Sequence, residues 1–199
     1  MKTKSPDFAQ AEVFIISLLK EKISATLLYH NIDHTLDVLD VAMNIAKSEG
    51  LPPEEIQLLR IAVLFHDVGF VCTYKDHEAI GCDMAREQLP GYCFSKEQID
   101  LICGMIMSTK IPQCPNTKLD AIIADADLDY LGRDDVYTIA QKLHDEMKLQ
   151  NMLPDEIKWI PFQINFLKQH HYFTAYSKKN RGEKKKMYLE ELMEKQRSK

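Results

Sequence analysis

His66 and Asp67 stand side by side at the end of an apolar run, Ile61-Ala62-Val63-Leu64-Phe65, whose composition marks it for a protein core. An imidazole and a carboxylate in such a place need a partner, because burying an unpaired carboxylate costs several kcal/mol. A bound cation is the natural compensation. The chain offers further donors in two places. Upstream lies Tyr29-His30-Asn31-Ile32-Asp33-His34, and downstream a second apolar run, Ile122-Ile123-Ala124, leads into Asp125-Ala126-Asp127-Leu128-Asp129. A histidine, a His-Asp pair and a distant aspartate make a mixed nitrogen and oxygen donor set, suited to one divalent Mn, Fe, Zn, Ni, Co or Mg ion. Such an ion acidifies bound water, so that hydroxide can attack at neutral pH.

In this order the residues resemble the HD-domain superfamily of metal-dependent phosphohydrolases, whose signature is H...HD...D. The resemblance covers roughly residues 25 to 135. It implies that His34, His66, Asp67 and Asp127 bind the metal, and that Asp67 also accepts a hydrogen bond from the attacking water. It implies as substrate a small phosphate ester of nucleotide type, either a monoester or a cyclic or linear diester. The Tyr-His-Asn-x-x-His segment is similar to that of cyclic-nucleotide phosphodiesterases, where the first His donates a proton and the second is a ligand. On that resemblance His30 is the general acid. His77 follows the HD pair in the region where two-metal members can carry a ligand to a second ion. Those members usually add a histidine on the next helix, and Met105-Ile106-Met107-Ser108-Thr109-Lys110 has none. One metal is therefore expected, with His77 contacting phosphate or a bridging water, or serving as the alternative proton donor.

The residues themselves leave some choices open. Asp125 and Asp127 are turned about 200° apart on a helix, so only one can face the metal directly. The Ala-Asp-Leu form resembles the phosphodiesterase version of the motif, and that resemblance favours Asp127, with Asp125 as the alternative. His30 lies four residues before His34, so the two share a face if the segment is helical; the bland alternative is that His30 only caps that helix or hydrogen-bonds near its start. Imidazole suits proton transfer because its pKa lies near neutrality. Lys75 and Lys110 are candidates to neutralise substrate phosphate. His170-His171-Tyr172-Phe173-Thr174 is a second polar and aromatic cluster, placed either over the pocket or as structural packing.

A formal net charge of -5 argues against general nucleic-acid binding. The five cysteines, an odd number with no Cys-x-x-Cys pair, suggest reduced thiols in a cytoplasmic protein. No membrane-spanning run or signal peptide is expected. A homodimer is left open. At 199 residues the chain is sized for a single domain, residues 1-199, and its few Gly and Pro with no long alternating run point to an all-α helical bundle. The HD-type core would span about 25-135 and a C-terminal helical extension about 136-199.

Ser5-Pro6-Asp7 starts a helix over about 6 to 28. Leu36, Leu39, Ala42 and Ile45 form the next helical stripe, ending at Gly50. Pro52-Pro53-Glu54-Glu55 opens a third, whose stripe Ile56, Leu59, Val63 carries His66 inward. Residues 68 to 76 read as a loop at the mouth of the site, followed by a helix from 77 to about 89. Ser95-Lys96-Glu97-Gln98 fits a capping box. Pro112 to Pro115 is a loop, and helices are expected over 117 to 131, 134 to 149 and 155 to 178. The segment from 184 is expected to be an exposed terminal helix, its lysine run a solvated face. Two other functions are conceivable: a nucleotide-sensing regulatory module with little turnover, against which the intact donor set argues, and a di-iron oxygenase, which would need extra histidines between 95 and 115.

Overall fold

The computed structural model describes residues 5–152 and 158–198. Among these it holds nine α-helices and no strand: α1 Phe8–Lys22, α2 Ile32–Ser48, α3 Pro53–Phe65, α4 His77–Gln88, α5 Lys96–Ser108, α6 Lys118–Asp127, α7 Val136–Leu149, α8 Trp159–Gln169 and α9 Ala175–Arg197. Short 3-10 turns at Val68–Val71 and Asp129–Gly132 follow α3 and α6. The all-α expectation holds. No helix among the described residues is long and apolar enough to cross a membrane.

Local signals set most boundaries. Asp7 caps α1 by accepting from the Gln10 N–H at 3.0 Å, and Asn31 caps α2 by accepting from the N–H groups of Asp33 and His34. Ser95 and Gln98 form the expected capping box, and Thr117 with Asp120 forms a second at the start of α6.

Two hydrophobic cores result. The larger is built from α1 to α6 around fully buried Ile15, Leu59, Phe65, Ile102 and Ile122. The smaller gathers Tyr130, Val136, Ile164, Leu167, Tyr188 and Leu192 from the second half of the chain, with Tyr29 from the first. The Tyr29 to His34 segment and the end of α6 lie where the two meet.

Three helix expectations are corrected. The first helix stops at Lys22 rather than near 28, because Ser24 and Thr26 hydrogen-bond one another at 2.8 Å and Ser24 Oγ accepts from the Thr26 N–H, drawing the chain out of the helix. The sixth ends at Asp127 rather than 131: Leu128 leaves helical geometry, and the turn after it presses Gly132 onto α9. A Cβ on Gly132 would lie 2.5 Å from the Arg181 carbonyl oxygen. The helix expected over 155 to 178, whose residues 155–157 lie outside the described ones, is broken at His170 to Thr174.

The cause of that break is Asp125. Its fully buried carboxylate accepts from the N–H groups of Phe173 and Thr174, both at 2.8 Å, and from Thr174 Oγ1 at 2.6 Å. Thr174 in turn caps α9. The terminal helix is not merely exposed either: Tyr188 and Leu192 on α9 are buried in the smaller core. Removing the carboxylate should strand the buried Thr174 N–H and the half-buried Phe173 N–H. Asp125→Ala is expected to lower stability by about 3 kcal/mol, the cost of a few buried hydrogen bonds, while leaving metal uptake intact. Denaturant melts alongside metal analysis check both halves.

Candidate metal centre

The α2 cap sets the first donor. With Asn31 holding the helix start, His34 points inward and is buried, its ring 4.5 Å from that of Tyr29. His66 ends α3 fully buried, and its Nδ1 donates to the Val63 carbonyl at 2.6 Å. That hydrogen bond leaves Nε2 with a free lone pair, the state a metal requires. Asp67 begins the following 3-10 turn, and Asp127 closes α6.

One nitrogen from His34, one from His66 and one oxygen from Asp127 all lie within 4.8 Å of one another. His34 Nε2 is 3.2 Å from Asp127 Oδ1 and 3.4 Å from Asp67 Oδ2, while His66 Nε2 is 3.2 Å from Asp67 Oδ2. Yet His34 Nε2, His66 Nε2 and Asp67 Oδ2 are buried without any partner in hydrogen-bond geometry. Three orphaned polar atoms converging on one point fit a cation, since buried polar atoms are otherwise paired. Among the sequence candidates the structure thus gathers His34, His66, Asp67 and Asp127, and turns Asp125 away to the start of α9.

Electrostatics agree with the geometry. Burial pushes the Asp67 carboxyl up, but His66, His34 and His77 outweigh it and hold it well below the usual range. Asp127, likewise opposed by burial, is brought down to about 2 by His34 and His66. The imidazoles move the other way. Burial alone would lower His34, but the Asp127 and Asp67 carboxylates raise it to about 8, and His66 is raised well above its ordinary value against the same penalty.

His77, at the start of α4, brings Nε2 to 3.4 Å from Asp67 Oδ1 and 3.6 Å from Glu78 Oε1. Its ring stacks on Phe70 at 3.9 Å. The 3-10 turn runs so close beneath that a Cβ on Gly69 would lie 2.0 Å from the His77 carbonyl oxygen, so only glycine fits.

His30 is not a helix cap; Asn31 fills that role. Its Nδ1 donates to Glu146 Oε1 at 2.5 Å, and its ring stacks on Phe70 at 4.3 Å. Glu146 comes from α7 and is fully buried. It also accepts from the N–H groups of Tyr29 and His30 and from the Tyr74 hydroxyl. Burial would raise its carboxyl, but the bonds from His30 and the two backbone N–H groups hold it below the usual glutamate range, so it stays an anion. The result is an oriented imidazole with Nε2 left to act. Neither Glu146 nor Tyr74 was singled out from sequence. The available signal was a carboxylate continuing the α7 stripe Val136, Ala140, Leu143.

A chamber of about 160 Å³ opens beside the donors, lined by His30, Asp67, His77 and Asp127 among others. Much of its lining is aromatic, with Tyr130, Trp159, Phe162, Phe166 and Tyr188. Lys75 is exposed, and Lys110 pairs with Asp76 at 2.7 Å; neither lines the chamber. His170 lies over a smaller cavity, with Lys185 Nζ 3.0 Å from its Nδ1.

Comparison with known proteins agrees with this picture. The HD domain family model matches residues 31–172. The fold is similar to the crystal structure of a predicted HD superfamily hydrolase from an uncultured Thermotogales bacterium. The two share 20% identity and a TM-score of 0.62, over 92% of this chain and 89% of that one. No curated protein matches. With the family model covering well over half its length and the H...HD...D residues gathered at one point, this chain belongs to the HD domain family.

Proposed function

We propose that this protein is a divalent-metal-dependent phosphohydrolase acting on a nucleotide-type phosphate mono- or diester. The observation that carries the reading is the convergence of His34, His66 and Asp127 around buried polar atoms that have no hydrogen-bond partner. His34, His66, Asp67 and Asp127 would hold one divalent ion. That ion supplies acidified water and polarises the phosphoryl oxygen.

The chain's own groups account for the rest. Asp67 reaches the histidine nitrogens with Oδ2 and keeps Oδ1 toward His77, placing a proton acceptor beside the donor cluster. His30, aligned by Glu146, gives the leaving oxygen a proton from Nε2, and His77 is placed to bind a phosphoryl oxygen. The aromatic wall suits the flat face of a base. Family membership supports hydrolysis, and the similarity of Tyr29-His30-Asn31 to the phosphodiesterase segment supports the acid role.

Chelator treatment tests the reading. Release of phosphate or alcohol from a panel of nucleotide esters is expected to vanish with chelator and return with Mn or another divalent transition metal. Hydrolysis indifferent to chelator, or none with any ester after metal loading, would overturn it.

A further inference from the structure

Resting on the phosphohydrolase reading, we infer that the substrate carries a single phosphate group on a bulky, weakly polar body, and that chains of phosphates are excluded. The chamber's charge is the first argument. Among the described residues its lining includes Asp67, Glu78 and Asp127 but no Lys or Arg. Half-buried cations on flanking elements are engaged elsewhere: Arg133 with Asp37 and Asp135, Arg181 with Asp129, and Lys185 with His170. One phosphate beside a divalent ion is compensated. A second or third would lie against carboxylates and aromatic rings with no counter-charge, in a site of low dielectric.

The chamber's apolar lining is the second argument. Besides the donors it is walled by Leu131, Ala140, Leu143 and Leu167 together with the aromatic rings. Hydrogen-bonding groups there are few and partly spent: the Tyr188 hydroxyl donates to Gln163 Oε1 at 2.5 Å. A sugar-phosphate chain would lose its hydration there without replacement, whereas an aryl, alkyl or nucleobase body gains by leaving water. The ester oxygen then falls beside His30, which lines the chamber together with the donors.

Trp159, the only tryptophan, lines this wall and reports occupancy by its fluorescence. The test uses Mn-loaded protein with n-alkyl phosphates from ethyl to octyl, adenosine monophosphate, adenosine triphosphate and inorganic tripolyphosphate. Both hydrolysis and Trp159 quenching are read. Affinity for alkyl phosphates is expected to rise about three- to fourfold per methylene, the increment for burying a CH₂, with adenosine monophosphate well above both polyphosphates. Alkyl phosphates outrunning the monophosphate would identify an apolar alcohol ester as the substrate, and the reverse order a nucleotide. Leu143→Lys should weaken octyl phosphate binding about tenfold or more and admit tripolyphosphate; Phe162→Ala, at the chamber's exposed edge, should lower the octyl-to-ethyl ratio if the first variant does not fold. Hydrolysis that is flat with chain length, or fastest on polyphosphates, overturns the inference while leaving the phosphohydrolase reading intact. Quenching that strengthens with chain length without any turnover does the reverse.

Discussion

His34→Ala is expected to lose both bound metal and hydrolysis. The substitution removes one of three donors that lie within 4.8 Å of one another, and it leaves the Asp67 and Asp127 carboxylates with less to neutralise them. Both are held low by their histidines. Removing one partner of a buried charge pair commonly costs about 3–5 kcal/mol, so the variant should also melt earlier. His66→Ala should behave alike. Inductively coupled plasma analysis, phosphate release and a thermal melt check the three effects together. Full activity in a folded, metal-free variant would remove the metal from the mechanism.

His30→Ala should separate from it. The ring contacts Phe70 and Glu146 and lies outside the converging donor group. Metal content should hold while kcat falls by about 10² to 10⁴, the range for one general acid. The loss should shrink with nitrophenyl esters, whose leaving oxygen needs little protonation. Glu146→Gln is expected to act in the same direction but more weakly, since its one amide oxygen can still accept from the Tyr29 and His30 N–H groups, while its NH₂ no longer accepts from the His30 Nδ1–H and the imidazole loses its alignment. Loss of metal in His30→Ala as complete as in His34→Ala would make His30 a ligand or a structural support. Unchanged kcat with every ester would pass the acid role to His77.

How much of this could be read from the chain varies with how local its causes are. The donor cluster was legible because two apolar runs end in residues that do not belong in a core, His66-Asp67 and Asp127. Caps at Asp7, Asn31 and Ser95 act within three residues. The end of α1 at Ser24 and Thr26 has an equally local cause, masked by the helical spacing of Val13, Ile16, Leu19 and Ile23. Glu146 was different. Its carboxylate meets a backbone N–H and an imidazole 116 residues away, and no spacing announces such a contact. The break between α8 and α9 likewise depends on Asp125, 48 and 49 residues upstream of the groups it receives. A long-range hydrogen bond can end a helix that local propensity would continue.

The most direct test of the central claim is the position of the metal itself. In a crystal of Mn-loaded protein, anomalous scattering should place one ion about 2.0 to 2.3 Å from His34 Nε2, His66 Nε2 and carboxylate oxygens of Asp67 and Asp127, with Asp125 still on the Phe173 and Thr174 N–H groups. An ion bound elsewhere, or ligated by Asp125 in place of Asp127, would contradict the account.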